Sequence, residues 1–111
     1  MVEIFYRYRV HPNQAKAFEH AYGSTGPWAA LFSRHPGYRR TRLFAHKADP
    51  SIYITVDVWD SKEQWDEFRR VFGTQYAQLD KDFAMLKLEE HLLGFYDGSE
   101  NAKPPPVDEL E

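Results

Sequence analysis

Apolar and charged residues alternate from the start of the chain. Val2, Ile4, Tyr6, Tyr8 and Val10 share one parity and Glu3, Phe5, Arg7 and Arg9 the other, the period of a strand with two unlike faces. His11-Pro12-Asn13 ends that pattern, after which Ala15, Phe18, Ala21 and Tyr22 recur at helical spacing, with Pro12 and Asn13 suited to opening a helix. Gly23-Ser24-Thr25-Gly26-Pro27 reads as a loop, and Trp28, Leu31, Phe32 and His35 then mark a further helical face that Pro36-Gly37 stops. Segments 38–46 and 51–59 are rich in β-branched, aromatic and arginine residues, and the turn Lys47-Ala48-Asp49-Pro50 between them predicts a hairpin. Asp60-Ser61 with Gln64 forms a capping box for a long amphipathic helix through Trp65, Phe68, Phe72, Tyr76, Leu79 and Phe83, with Gly73 as the place for a kink. Leu92 to Tyr96 completes the set as a last strand.

The order βαββαβ predicts an α+β, ferredoxin-like fold: an antiparallel four-stranded sheet with its helices on one face. Residues 1–97 form this domain. Residues 98–111, with Pro104-Pro105-Pro106 and four acids after Ser99, read as a disordered Pro-rich acidic tail. On the open side of the sheet the parity assigns Phe5, Arg7, Arg9, Thr55, Asp57 and Trp59, opposite Ile4, Tyr6, Ile54, Val56 and Val58. A face of that mixed character is commonly covered by a second copy of the chain, so a homodimer is expected.

Composition narrows the function. The 111 residues are 42% hydrophobic and 16% aromatic, enough for one folded domain. A net charge of -3 offers no cationic field for nucleic acid or for a membrane surface. The chain has no cysteine, which removes disulfides, thiolate metal sites and thiol catalysis. The alternating N-terminal segment has neither the apolar run of a signal peptide nor a spanning stretch, so a soluble, cytoplasmic protein is expected.

Several short stretches carry a resemblance. Asp49-Pro50-Ser51-Ile52-Tyr53 followed by Trp59-Asp60-Ser61-Lys62-Glu63, together with Pro36-Gly37-Tyr38, Glu90 and Leu93-Gly94-Phe95, resembles the antibiotic biosynthesis monooxygenase (ABM) domain family of the dimeric α/β barrel superfamily. The likeness covers roughly residues 2–97. It implies a dimeric α/β barrel with a pocket between sheet and helices in each subunit, and an oxygenase that uses no cofactor on a small aromatic or polyketide-like substrate. Once deprotonated, such a substrate can itself pass an electron to oxygen, so the protein need supply a dry aromatic pocket and a base. A non-catalytic ligand-binding or stress-associated module of the same fold, or another chemistry such as isomerisation, is the alternative. Haem-degrading relatives are expected to carry Asn, Trp and His where this chain has Tyr6, Phe68 and Gln78, so that activity is set aside.

The residues themselves suggest where chemistry would sit. His11, His20, His35, His46 and His91 show no ligand spacing, and no metal is expected. His20, one turn before the glycine loop, and His91, at the entrance to the last strand, are the candidate general bases. Tyr6, Tyr8, Tyr22, Trp28, Trp65, Phe72 and Tyr76 are assigned to the space between sheet and helices. Any one of these rings is more often simple core, but the buried phenol hydroxyls need partners and seven such rings are hard to pack without a gap, which predicts a cavity for a small aromatic ligand. Arg39, Arg40 and Arg42 alternate in parity, and cross-strand pairing with Asp57 or with acidic helix residues is expected of them. The glycine loop lacks the strand, lysine and spacing of a phosphate loop and reads as a flexible lip.

Overall fold

The computed structural model describes residues 1–98; the expected tail from Ser99 onward lies outside the described residues. The elements run β1 (Val2–Val10), α1 (Ala15–Tyr22), α2 (Pro27–Phe32), β2 (Tyr38–Ala45), β3 (Ile52–Trp59), α3 (Lys62–Val71), α4 (Gly73–Phe83) and β4 (Lys87–Asp97). Short 3-10 turns at Pro12–Gln14 and Ala84–Leu86 lead into α1 and β4. The four strands form one antiparallel sheet in the order β2-β3-β1-β4, with the helices on one face. This is the ferredoxin-like α+β arrangement that the element order predicts. No helix among the described residues is long and apolar enough to cross a membrane.

Local sequence signals account for most boundaries. Ser61 Oγ accepts the Gln64 backbone N–H at 3.2 Å and caps α3, while Gln64 Oε1 finds no partner, so the capping box is half made. In the β2–β3 turn, Asp49 Oδ1 accepts both the N–H and the hydroxyl of Ser51, at 3.0 and 2.7 Å. Gly26 packs so tightly on the last turn of α1 that a Cβ there would lie 2.2 Å from the His20 carbonyl oxygen. Gly94 has φ +149° at the bulge where β4 shifts register against β1.

Three expectations about the sheet need correction. The last strand starts at Lys87, well before Leu92, because β1 offers a pairing edge along its whole length. The face assignment of β3 is reversed. Ile4 pairs with Asp57, Tyr6 with Thr55 and Val2 with Trp59, and directly opposite residues share a face. Thr55, Asp57 and Trp59 therefore point toward the helices along with Tyr6 and Tyr8. The open face carries Phe5, Arg7, Ile54, Val56 and Val58 instead. Nor do the β2 arginines pair with Asp57: Arg39 Nε donates to Asp60 Oδ1 at 2.5 Å, and Arg42 lies over the Phe44 ring.

The predicted long helix is two helices. α3 ends at Val71 and α4 starts at Gly73. α3 buries Trp65 and Phe68, whereas α4 has no buried residue. A Cβ at Gly73 would meet nothing, and its φ is not positive. Gly73→Ala is accordingly expected to raise the unfolding free energy by about 0.5–1 kcal/mol by restricting the unfolded chain. Urea unfolding measures this, and a loss of stability would mean that the junction needs a conformation alanine resists.

Candidate active site

Two aromatic clusters fill the space between sheet and helices. Trp59, Trp65, Phe68 and Phe32 pack against one another at one end, with ring centroids 5.1–5.9 Å apart. Tyr8, Phe18, Tyr22 and Tyr53 do so at the other, within 5.2 Å of at least one partner. Between them lies a cavity lined by Tyr6, Tyr8, Tyr22, Trp28, Phe32, Thr41, Thr55, Asp57, Trp65, Tyr76, Asp80 and Glu90. Its free volume is about 20 Å³, room for one water. A ligand must part the walls, and α4, which contributes Tyr76 and Asp80 and buries no residue, is the wall least held.

Six of the seven rings assigned to this space line it; Phe72 does not, and stacks on Phe68 at 5.3 Å. His20 and His91 lie outside. His20 is exposed on α1. His91 is exposed on the β4 residue paired with Arg7, on the open face, with Nε2 3.5 Å from Glu89.

The residue that sequence reading placed on the wrong face is the centre of the site. Asp57 is buried on the floor, and burial pushes its carboxyl up to about 7, partly offset by the hydroxyl of Thr41. Thr41 Oγ1 donates to Asp57 Oδ1 at 2.7 Å, so the Tyr38 hydroxyl donates in turn to Thr41 Oγ1 at 2.8 Å. That chain fixes one carboxylate oxygen and leaves the other without a protein partner.

The phenols around it behave differently. Burial raises Tyr6, Tyr8, Tyr22 and Tyr76 above the ordinary phenol value, Tyr76 well above it. All four keep their protons near neutrality and act as donors. Asp57 is thus the buried cavity group that can exchange a proton there.

Charge surrounds the cavity. Lys87 Nζ donates to Glu90 at 2.8 Å and Asp80 at 3.3 Å. Burial pulls its pKa down, but Glu90 and Tyr22 more than offset this and hold it above the ordinary lysine value. The Arg69 guanidinium lies 3.9 Å from the Tyr76 ring centroid. The available signal for Asp57 was aromatic: Tyr53 and Trp59, both buried, share its parity, as Tyr6 and Tyr8 share that of the helix-facing side of β1.

Comparison with known proteins agrees with this architecture. The family model described as antibiotic biosynthesis monooxygenase matches residues 1–71. The chain belongs to that family. Its ABM fold is similar to solved structures over nearly the whole domain. One is a mutant of SnoaB, a cofactor-independent oxygenase from Streptomyces nogalater, at 19% identity, with 94% of this chain and 97% of that one covered and a TM-score of 0.67. A second is a protein from Bordetella bronchiseptica titled an antibiotic biosynthesis monooxygenase, at 16% identity, 88% and 96% coverage and a TM-score of 0.69. A similarly titled protein from Nitrosomonas europaea has 16% identity, 88% and 98% coverage and a TM-score of 0.64. No curated protein sequence matches the chain.

Proposed function

We propose that this ABM-family chain is a cofactor-independent monooxygenase acting on a small electron-rich phenol, with Asp57 as the base. The observation that carries the reading is a carboxyl poised near neutrality on the floor of an aromatic cavity, with one oxygen tied to Thr41. Family membership and the similarity to SnoaB support it.

In the proposed reaction the substrate hydroxyl gives its proton to the free Asp57 oxygen. The electron-rich anion passes one electron to dioxygen, and the resulting radical pair combines at a ring carbon. The peroxide then loses water, leaving a quinone. One phenol and one dioxygen become one quinone and one water, with the substrate as reductant. The protein contributes burial, orientation and the base.

Oxygen uptake with a panel of phenols and naphthols tests the proposal. Uptake matched by quinone formation, and lost in Asp57→Asn, is expected. Ligand binding without oxygen consumption would instead favour a non-catalytic binding module.

The functional unit is proposed to be a homodimer. The open face presents Phe5 and Ile54, each half-buried, beside the already buried Val56 and Val58, and the adjoining edge strand β4 leaves Leu88, Leu92, Leu93 and Tyr96 each at least 44% exposed. A second copy would cover both the apolar area and the open edge. Light scattering is expected to return twice the chain mass at micromolar concentration; a monomer would overturn this assembly.

A further inference from the structure

Tyr38 and Thr41 lie three residues apart on β2, a separation that puts side chains on opposite faces of a regular strand. A β-bulge changes that. Tyr38 pairs with Trp59, Arg40 with Val58 and Thr41 with Asp57, so Arg39 is an extra residue on β2, and its Nε donates to Asp60 Oδ1. The bulge turns Tyr38 to the helix-facing side beside Thr41, the kind of re-aiming that bulges perform next to active sites. There the Tyr38 ring packs against Trp59 and Phe32, with centroids 5.5 and 5.6 Å away, and its hydroxyl reaches Thr41 Oγ1 at 2.8 Å. Thr41 is buried directly opposite Asp57. Its two hydrogen bonds select the rotamer that presents Oγ1, and not the methyl group, to the carboxylate.

We propose that Tyr38 is a positioning residue for Asp57, acting through Thr41, and that the bulge at Arg39 serves to place it. The threonine has a single hydroxyl proton and gives it to Asp57 Oδ1 at 2.7 Å. The phenol behind it occupies the threonine oxygen as an acceptor, which commits that proton to the carboxylate. Oδ1 is thereby fixed, and Oδ2 is the oxygen turned to a ligand hydroxyl. Tyr6, Tyr8, Tyr22, Tyr76, Asp80 and Glu90 share the cavity with Asp57 from β1, α1, α4 and β4, while α2 and α3 line it with aromatic rings that carry no titratable group. Against burial, it is the Thr41 hydroxyl that draws the Asp57 carboxyl back toward its ionised form. The inference rests on the proposed function only for the use of Asp57 as a base; the hydroxyl chain stands on its own geometry.

The test is an NMR titration of the Asp57 carboxyl carbon in isotope-labelled protein, with neither substrate nor oxygen consumed and the signal identified by its loss in Asp57→Asn. Thr41→Val keeps the shape of the side chain and removes the donor. It should move the Asp57 midpoint upward by about one to two pH units, the effect of losing a hydrogen bond to a charged acceptor. Tyr38→Phe should move it upward by a smaller step, and Thr41→Ser should restore the parent's midpoint. The acid limb of kcat/KM in oxygen uptake should shift by the same amounts. Urea midpoints report whether each variant keeps its fold, and Tyr38→Phe, which retains the ring and its packing, decides the matter if Thr41→Val does not fold. An unchanged or lowered midpoint in Tyr38→Phe or in a folded Thr41→Val, or a Thr41→Ser midpoint displaced like that of Thr41→Val, would overturn the positioning role. A displaced midpoint in a protein that consumes no oxygen would leave the hydroxyl chain standing and remove the monooxygenase reading instead.

Discussion

Asp57→Asn is expected to lower turnover by about a hundredfold to ten-thousandfold, the usual contribution of a positioned general base. Asparagine can still accept the Thr41 hydroxyl but cannot take a proton. The parent's kcat/KM should fall as pH drops through about 7, where Asp57 becomes protonated, and the variant should lack that limb. The same shift has a stability counterpart. Burial raises the folded carboxyl from 3.8 to about 7, so below the lower value both states are protonated and Asp57 contributes no pH dependence. Between the two values the unfolded chain ionises while the folded one does not, and stability declines with rising pH before levelling above 7. The full penalty is on the order of 4 kcal/mol, and Asp57→Asn should flatten this decline. Urea unfolding at pH 5, 6 and 8 measures it; an identical pH dependence in parent and variant would contradict the buried-carboxyl account.

Phe68→Ala should cost about 3–5 kcal/mol, because the lost transfer free energy and the cavity left behind add. Phe68 is fully buried, with Phe32, Trp59, Trp65 and Phe72 rings within 5.7 Å. Tyr76→Ala is expected to cost less than about 2 kcal/mol, since that ring faces space that is already hollow and sits on a helix with no buried residue. The two rings come from the same hydrophobic stripe of sequence, yet one closes the core and the other walls the site. Equal losses in urea unfolding would mean that Tyr76 is core and that α4 does not yield to a ligand. A ligand bound near the cavity should also raise the unfolding midpoint of the parent more than that of Tyr76→Ala.

Much of this was legible in the chain. Alternation in β1, the 3.6-residue spacing around Trp65 and Phe68, the Ser61 cap and the Asp49 turn are local effects, decided by residues within a few positions of one another. They were enough for the element order and the ferredoxin-like sheet, and they put six of the seven selected rings around one cavity. The identity of the buried carboxyl was not local. In β3 both parities are apolar enough to be core, Ile54-Val56-Val58 on one side and Tyr53-Thr55-Asp57-Trp59 on the other. The aliphatic set would be chosen by hydrophobicity, but pairing with β1 turned the polar and aromatic set inward. That outcome depends on register between strands far apart in sequence, which brings Ile4 opposite Asp57 and not a neighbouring residue. The same long-range pairing extended β4 to Lys87, bringing Glu90 to the cavity and Lys87 against the Tyr22 ring while leaving His91 on the open face. Sequence alone therefore determined which elements form and which aromatic rings are available; tertiary pairing decided which titratable groups those rings surround, because a side chain's face in a sheet is set by its partner strand.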